Sequence, residues 1–132
     1  MDTNELNRIG YSIVGAAMEV HKRLGPGLLE SLYQKAMEIE LMDRNHRVST
    51  EVHIPIMYKD KVIANELRLD LLVDDLVVVE LKSVSEVHPI MQAQLLTYLK
   101  LTDRRLGYLI NFNEVNIMKG LHRMVYNFGK AA

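Results

Sequence analysis

Glu80 and Lys82 interrupt the apolar run "LVVVELKSV" (76–84), and Asp70 interrupts another, "ELRLDLLV" (66–73). A strand buried on both faces should carry no charge, because taking an unpaired carboxylate or ammonium out of water costs on the order of several kcal/mol. Residues two apart on a strand point to one face, so Glu80 and Lys82 share a side of the sheet. They could neutralise one another as an ion pair at the strand's exposed end. With Asp70 only a short turn away, however, two acids and a lysine converge on one patch. Two carboxylates with a free edge suit a hard divalent cation such as Mg²⁺, which takes oxygen ligands and keeps several waters. A neighbouring lysine can orient or deprotonate an attacking water and stabilise charge developing on phosphorus. These are the groups that metal-assisted phosphodiester hydrolysis requires.

The elements that must position them follow from periodicity. Leu6, Ile9, Ile13, Ala17, Val20 and Leu24 recur at helical steps and predict a first helix. Gly25-Pro26-Gly27 can end it, the glycine taking a left-handed cap and the proline refusing to continue the ladder. A second helix carries Leu29, Leu32, Ala36 and Ile39 on one stripe and stops before "DRNHR" (43–47). The middle of the chain then changes period. "VSTEVHIPIMY", "VIANELRLDLLV" and "LVVVELKSV", separated by "KDK" and "DD", predict an antiparallel three-stranded meander. A third helix over about Ile90–Leu101, with Met91, Leu95, Leu96 and Leu99 around it, is expected to be largely buried. "LGYLINF" predicts a buried strand and "LHRMVYNF" an edge strand, with "GKAA" fraying at the end.

Pairing register decides whether the acids meet. A plain two-residue hairpin at Asp74-Asp75 pairs Val73 with Leu76 and Asp70 with Val79, which puts Asp70 on the face opposite Glu80. A three-residue turn, or one bulge, sets Asp70 against Glu80 and aligns both with Lys82. The metal site therefore requires an odd register.

Asp70, nine intervening residues, Glu80-Leu81-Lys82, and then a helix with Gln94 and Tyr98 ("QLLTY") together resemble the PD-(D/E)xK nuclease superfamily, in particular its RecB-like members with a Q-x-x-x-Y helix. With Gly27-Leu28-Leu29-Glu30-Ser31-Leu32-Tyr33 added, the chain looks like the small GxxExxY family assigned to that superfamily. The similarity runs over about Leu6 to Phe128; Leu69 stands where the superfamily often has proline. The resemblance implies a single domain over 1–132 of the restriction-endonuclease-like α/β type, a mixed central sheet with an antiparallel meander flanked by helices. It implies a Mg²⁺- or Mn²⁺-dependent nuclease, with DNA favoured over RNA as substrate. Asp70 and Glu80 would be metal ligands, Lys82 the catalytic lysine, and Glu30 an additional acid brought to the metal from the helical region. Gln94 and Tyr98 would line the substrate side. Families of this fold also include members that serve as binding modules without catalysis, which is the rival reading.

Taken by themselves, several of these residues have plainer roles. Glu30 would be a solvated acid in a helix's first turn, favoured by the macrodipole. Tyr33 could be core, or could hold Glu30 by packing or a hydrogen bond. Gln94 and Tyr98, four apart, could form a structural pair. Arg68 shares a strand face with Asp70 and could meet either that acid or a phosphate. His21 and His88 carry no ligand pattern, and the clusters Lys22-Arg23, Arg44-His46-Arg47 and Lys100-Arg104-Arg105 read as solvated helix ends.

Composition bounds the partners. Over 132 residues, 16 Lys and Arg balance 17 Asp and Glu, giving a net charge of −1, so no broad basic field attracts nucleic acid and any such contact must be local. Without cysteine there is no disulfide, thiolate zinc site or cysteine nucleophile, in keeping with a reducing compartment. The polar start "MDTNELNR" and the lack of a long apolar run point to a cytoplasmic chain with no membrane partner. Oligomeric state stays open, a homodimer among the options.

Overall fold

The computed structural model describes residues 2–129. Helix α1 (Thr3–Leu24) starts at Asp2, whose carboxylate accepts the Asn4 N–H at 2.9 Å. It buries Leu6, Ile9, Ile13, Ala17 and Val20, the face expected from the spacing, while Leu24 at its end is exposed. Gly25, at φ 73°, caps it by donating its N–H to the His21 carbonyl at 2.8 Å.

Helix α2 (Glu30–Asp43) departs from expectation in the face it buries. Tyr33, Met37 and Leu41 point inward, whereas Leu29, Leu32 and Ile39 are exposed at 72, 46 and 63%. Two apolar stripes compete on this helix, both with helical period. The inner one wins because Tyr33 stacks on Phe112, with centroids 4.4 Å apart and planes 9° apart, and its hydroxyl finds partners in the turn before the helix.

The sheet has five strands in sequence order: β1 (Val48–Tyr58), β2 (Lys61–Val73), β3 (Val77–Lys82), β4 (Leu106–Asn111) and β5 (Leu121–Val125). Neighbours are antiparallel except β3 and β4, which run parallel, joined by helix α3 (Pro89–Thr102). The meander, the mixed sheet and the final edge strand are as the sequence predicts. Edge strand β1 accommodates Pro55, which has no N–H to give, at a register irregularity between Ile54 and Ile56.

Helices α1 and α2 cover one face of the sheet, packing on Leu71, Val73, Val77, Val79, Leu81 and Phe112. Helix α3 covers the other with Leu95 and Leu99, against Leu69, Leu72, Val78 and Leu109. Each such side chain contributes about 1.5–3 kcal/mol by leaving water. Helix α3 buries less than its composition suggests: Leu96, Leu101 and Ile90 are exposed, because a helix laid across a sheet covers one face only. Fraying at 130–132 concerns residues outside those described. Among the described residues no helix is long and apolar enough to cross a membrane.

Candidate active site

The turn between β2 and β3 has three residues. Val73 pairs with Val77, Leu72 with Val78 and Leu71 with Val79, and the Leu76 N–H donates to the Val73 carbonyl at 3.0 Å. This is the odd register, and it sets Asp70 opposite Glu80. Asp74 and Asp75 both adopt positive φ, 53° and 60°, a conformation aspartate tolerates better than most residues. Asp74 is bolted down. Its N–H donates to the Arg47 carbonyl at 2.8 Å, and its carboxylate accepts the Arg47 N–H at 2.9 Å and contacts His46 Nδ1 at 2.6 Å. The other ring nitrogen of His46 lies 2.7 Å from Ser12 Oγ on α1. The order Ser12–His46–Asp74 is that of a hydrolytic triad, yet Ser12 sits within a helix whose N–H groups are used by its own ladder, leaving none for an oxyanion. It is a brace for the turn, which the separation of the three residues in sequence hid.

Past Leu71 and Val79 the β2–β3 ladder stops and the carboxylates take over. The Asp70 N–H donates to Glu80 Oε1 at 3.1 Å, and the Leu81 N–H donates to Asp70 Oδ2 at 2.8 Å. Each acid thus replaces a main-chain acceptor with one oxygen and retains the other. Val78 faces α3, so Glu80 and Lys82, at steps of two from it, face α3 as well. Glu80 is 8% exposed. Burial, then the adjacent Asp70 charge, pushes its carboxyl up to about 8, while Lys82 pulls the other way. The Asp70 carboxyl is raised too, by burial first and also by Glu30, with Lys82 and Arg68 opposing. Across from them on α3, Tyr98 packs against the layer of Leu69, Leu72 and Val78, and burial, then the charges of Glu80 and Asp70, push its hydroxyl up. Gln94, one turn earlier, is exposed.

Glu30 reaches the site from the start of α2. It lines a cleft of about 280 Å³ together with Gln34, Lys35, Glu51, Arg68 and Asp70, and its Oε1 accepts the Ser83 N–H at 3.3 Å. Arg68 is half exposed there, paired with Glu51 at 3.0 Å. Glu51 is the neighbour of these acids that sequence reading missed. It lies opposite Asp70 between the pairs Thr50–Leu71 and Val52–Leu69, and it holds φ at 50° inside a strand. No glycine signals that conformation. Its consequence is visible in the packing: Leu69 joins the α3 layer and Leu71 the α1 layer, although residues two apart on a regular strand share a face.

The donor set can be tested for a cation. Two oxygen ligands from adjacent strands, each with one atom left over, match a hard divalent ion that fills its remaining positions with water and phosphate. Two like-charged carboxylates forced together in a buried place also gain most from a cation between them. Among the described residues no group of three His, Cys, Asp or Glu side chains is close enough to hold a metal, so Glu30 does not form a preassembled trio with Asp70 and Glu80. Nor, among the described residues, does Lys82 form an ion pair with either acid. The simple explanation of Glu80 and Lys82 as mutual partners is thereby removed. His21 donates to the Glu114 carbonyl at 2.7 Å, and His88 sits exposed at the N-cap position of α3 without a side-chain capping bond, so neither is seen joined to the acids.

The sequence profile of the PD-(D/E)XK nuclease superfamily matches residues 7–124. The chain belongs to that superfamily. Members of the PD-(D/E)XK superfamily are generally nucleases, and the five-stranded mixed sheet with its three flanking helices agrees with the restriction-endonuclease-like fold. No curated protein and no solved structure matches the chain. Asp70, Glu80 and Lys82 all lie within the matched span, as do Glu30, Gln94 and Tyr98.

Proposed function

We propose that this PD-(D/E)XK superfamily member is a Mg²⁺- or Mn²⁺-dependent nuclease of the GxxExxY type that hydrolyses phosphodiester bonds, with DNA as the favoured substrate. The observation that carries the reading is the exchange of hydrogen bonds between Asp70 and the Glu80–Leu81 segment, which aligns two carboxylates beside Lys82, a lysine with no ion pair among the described residues. Asp70 and Glu80 would hold the ion, and Glu30, which shares a cleft with Asp70, would join directly or through water. A divalent ion held there supplies Lewis-acid stabilisation of phosphoryl charge and makes a water more acidic. Lys82 projects from the same sheet face. Its ammonium donates hydrogen bonds to the attacking water or to a phosphoryl oxygen, stabilising the negative charge that grows as the water–phosphorus bond forms and the phosphorus–oxygen bond of the leaving alcohol breaks. Arg68, Gln94 and Tyr98 stand at the margins, where a cation, an amide and a phenol can hold phosphate and base. With a net charge of −1, affinity for nucleic acid should be weak and salt-sensitive.

The test is a cleavage panel of single- and double-stranded DNA and RNA with Mg²⁺, Mn²⁺ or chelator, with Lys82→Ala as control. Metal-dependent cleavage by the wild type and none by Lys82→Ala is expected. Tight binding without cleavage on any substrate would instead favour a non-catalytic binding module.

A further inference from the structure

Ser83 follows Lys82 directly and has no part in the reading above. The residues on either side of it are held by β4 and the loop that follows. The Lys82 carbonyl accepts the Phe112 N–H at 2.9 Å, and the Asn111 side chain takes the Val84 N–H at 3.1 Å and donates to the Val84 carbonyl at 3.0 Å. Ser83 is held from the other direction. Its hydroxyl donates to the Leu28 carbonyl at 2.6 Å, and its N–H donates to Glu30 Oε1 at 3.3 Å. The partner it grips is rigid: the Tyr33 hydroxyl donates to the Gly25 carbonyl at 2.6 Å and accepts the Leu28 N–H at 3.1 Å.

We propose that Ser83 is a positioning residue for phosphodiester cleavage: its hydroxyl on Leu28 and its N–H on Glu30 lock the end of β3, from which Lys82 projects, to the turn that presents Glu30. Leu28 precedes α2, so its carbonyl lies outside the helical ladder and is free to receive the hydroxyl. One residue therefore sets two distances, that of the Lys82 backbone from α2 and that of Glu30 from Asp70 in their common cleft. Small displacements of groups that act only in the transition state reduce turnover far more than they reduce substrate binding.

The inference rests on the phosphodiesterase reading. Steady-state and single-turnover cleavage with Mn²⁺ would be compared for wild type, Ser83→Ala, Ser83→Cys and Ser83→Thr, each checked for folding by circular dichroism. Loss of the hydroxyl in the Ala and Cys variants should lower kcat about 10–100-fold with KM essentially unchanged, and Thr should restore most of the rate. Wild-type turnover in Ser83→Ala, a raised KM at unchanged kcat, or a Thr variant as slow as Ala would each overturn it. Should Ala fail to fold, the near-isosteric Cys variant decides, and wild-type turnover there refutes the proposal. A wild-type protein inert on every substrate with either metal refutes the phosphodiesterase reading and this inference together; an active wild type with indifferent Ser83 variants refutes this inference alone.

Discussion

Glu80 holds the main chain of Asp70 with one carboxylate oxygen, while Asp70 holds the residue after Glu80 in the same way. Each acid is oriented by the strand that carries the other. Neither can rotate away from its neighbour without leaving a buried N–H unpaired, a loss of about 1–3 kcal/mol. The like charges are therefore kept together by the backbone, and a proton or a cation must relieve them.

The pH dependence of stability follows. A carboxyl whose folded pKa lies above its unfolded value holds its proton more tightly in the native state. Its contribution is thus complete below the unfolded value, 4.5 for Glu80, and is lost as pH rises towards about 8. The metal-free melting temperature should fall between pH 5 and pH 8. Mn²⁺ should raise it more at pH 8 than at pH 6, because at pH 8 the ion displaces fewer protons. Glu80→Gln should flatten both effects. Thermal melts across that range with and without metal check this, and equal Mn²⁺ shifts at both pH values would speak against it.

The pairing across the turn should outlast a change in the turn's length. Deleting Asp75 leaves Asp74 and Leu76 as a two-residue connection between the same pair, Val73 and Val77, so Asp70 stays opposite Glu80. Since β2 and β3 are apolar on both faces near this turn, the sheet should survive, and cation-induced stabilisation and cleavage should survive with it. Circular dichroism with a metal titration tests it; a lost metal response in the folded deletion variant is the adverse result.

Asp74 gives the opposite pH signature. Burial pushes its carboxyl up, but the hydrogen bonds from His46 and the Arg47 N–H outweigh this and hold it below the usual 3.8. A depressed carboxyl stabilises the fold above its unfolded value and ceases to do so as pH falls through its folded value. Asp74→Asn should therefore cost about 1–3 kcal/mol at pH 7, and the gap to wild type should narrow by pH 3. Urea denaturation at the two pH values measures it.

Glu30 should differ from the other acids of α2. Glu30→Gln is expected to weaken Mn²⁺ affinity and lower cleavage by about 10–100-fold, whereas Glu38→Gln, away from the cleft, should leave both unchanged. Isothermal titration of the two variants compares them. Equal and negligible effects would reduce Glu30 to helix surface held by the Ser83 N–H.

Much of this was legible in the chain because it rests on counting. The helical steps from Leu6 to Val20 and the alternation between apolar runs and turns specify α1 and the meander. Parity alone shows that Asp70 and Glu80 meet only across an odd turn. What the sequence hides depends on partners far along it. Helix α2 has two equivalent apolar stripes, and only the ring of Phe112, 79 positions after Tyr33, selects between them. The brace from Ser12 through His46 to Asp74 joins three segments that composition presents as a helix surface, a basic cluster and a turn. Glu51 takes its positive φ without a glycine to announce it, and Ser83 is an ordinary serine until Leu28 is seen beside it.

The reversal at Glu51 and Asp70, which sends Leu69 to one layer and Leu71 to the other, divides the β1–β2 hairpin into two mechanical parts. The inner part is built into the sheet over α1. The outer part leans towards α3 with Val52, Ile54 and Leu69, and ends in the exposed Met57, Tyr58, Val62 and Ile63. The junction between them is the residue that carries one of the two paired carboxylates. The hairpin is thus an arm whose shoulder is Asp70: its far end can change in length and surface while the register at the shoulder, set from the opposite end by the Asp74 turn, stays fixed.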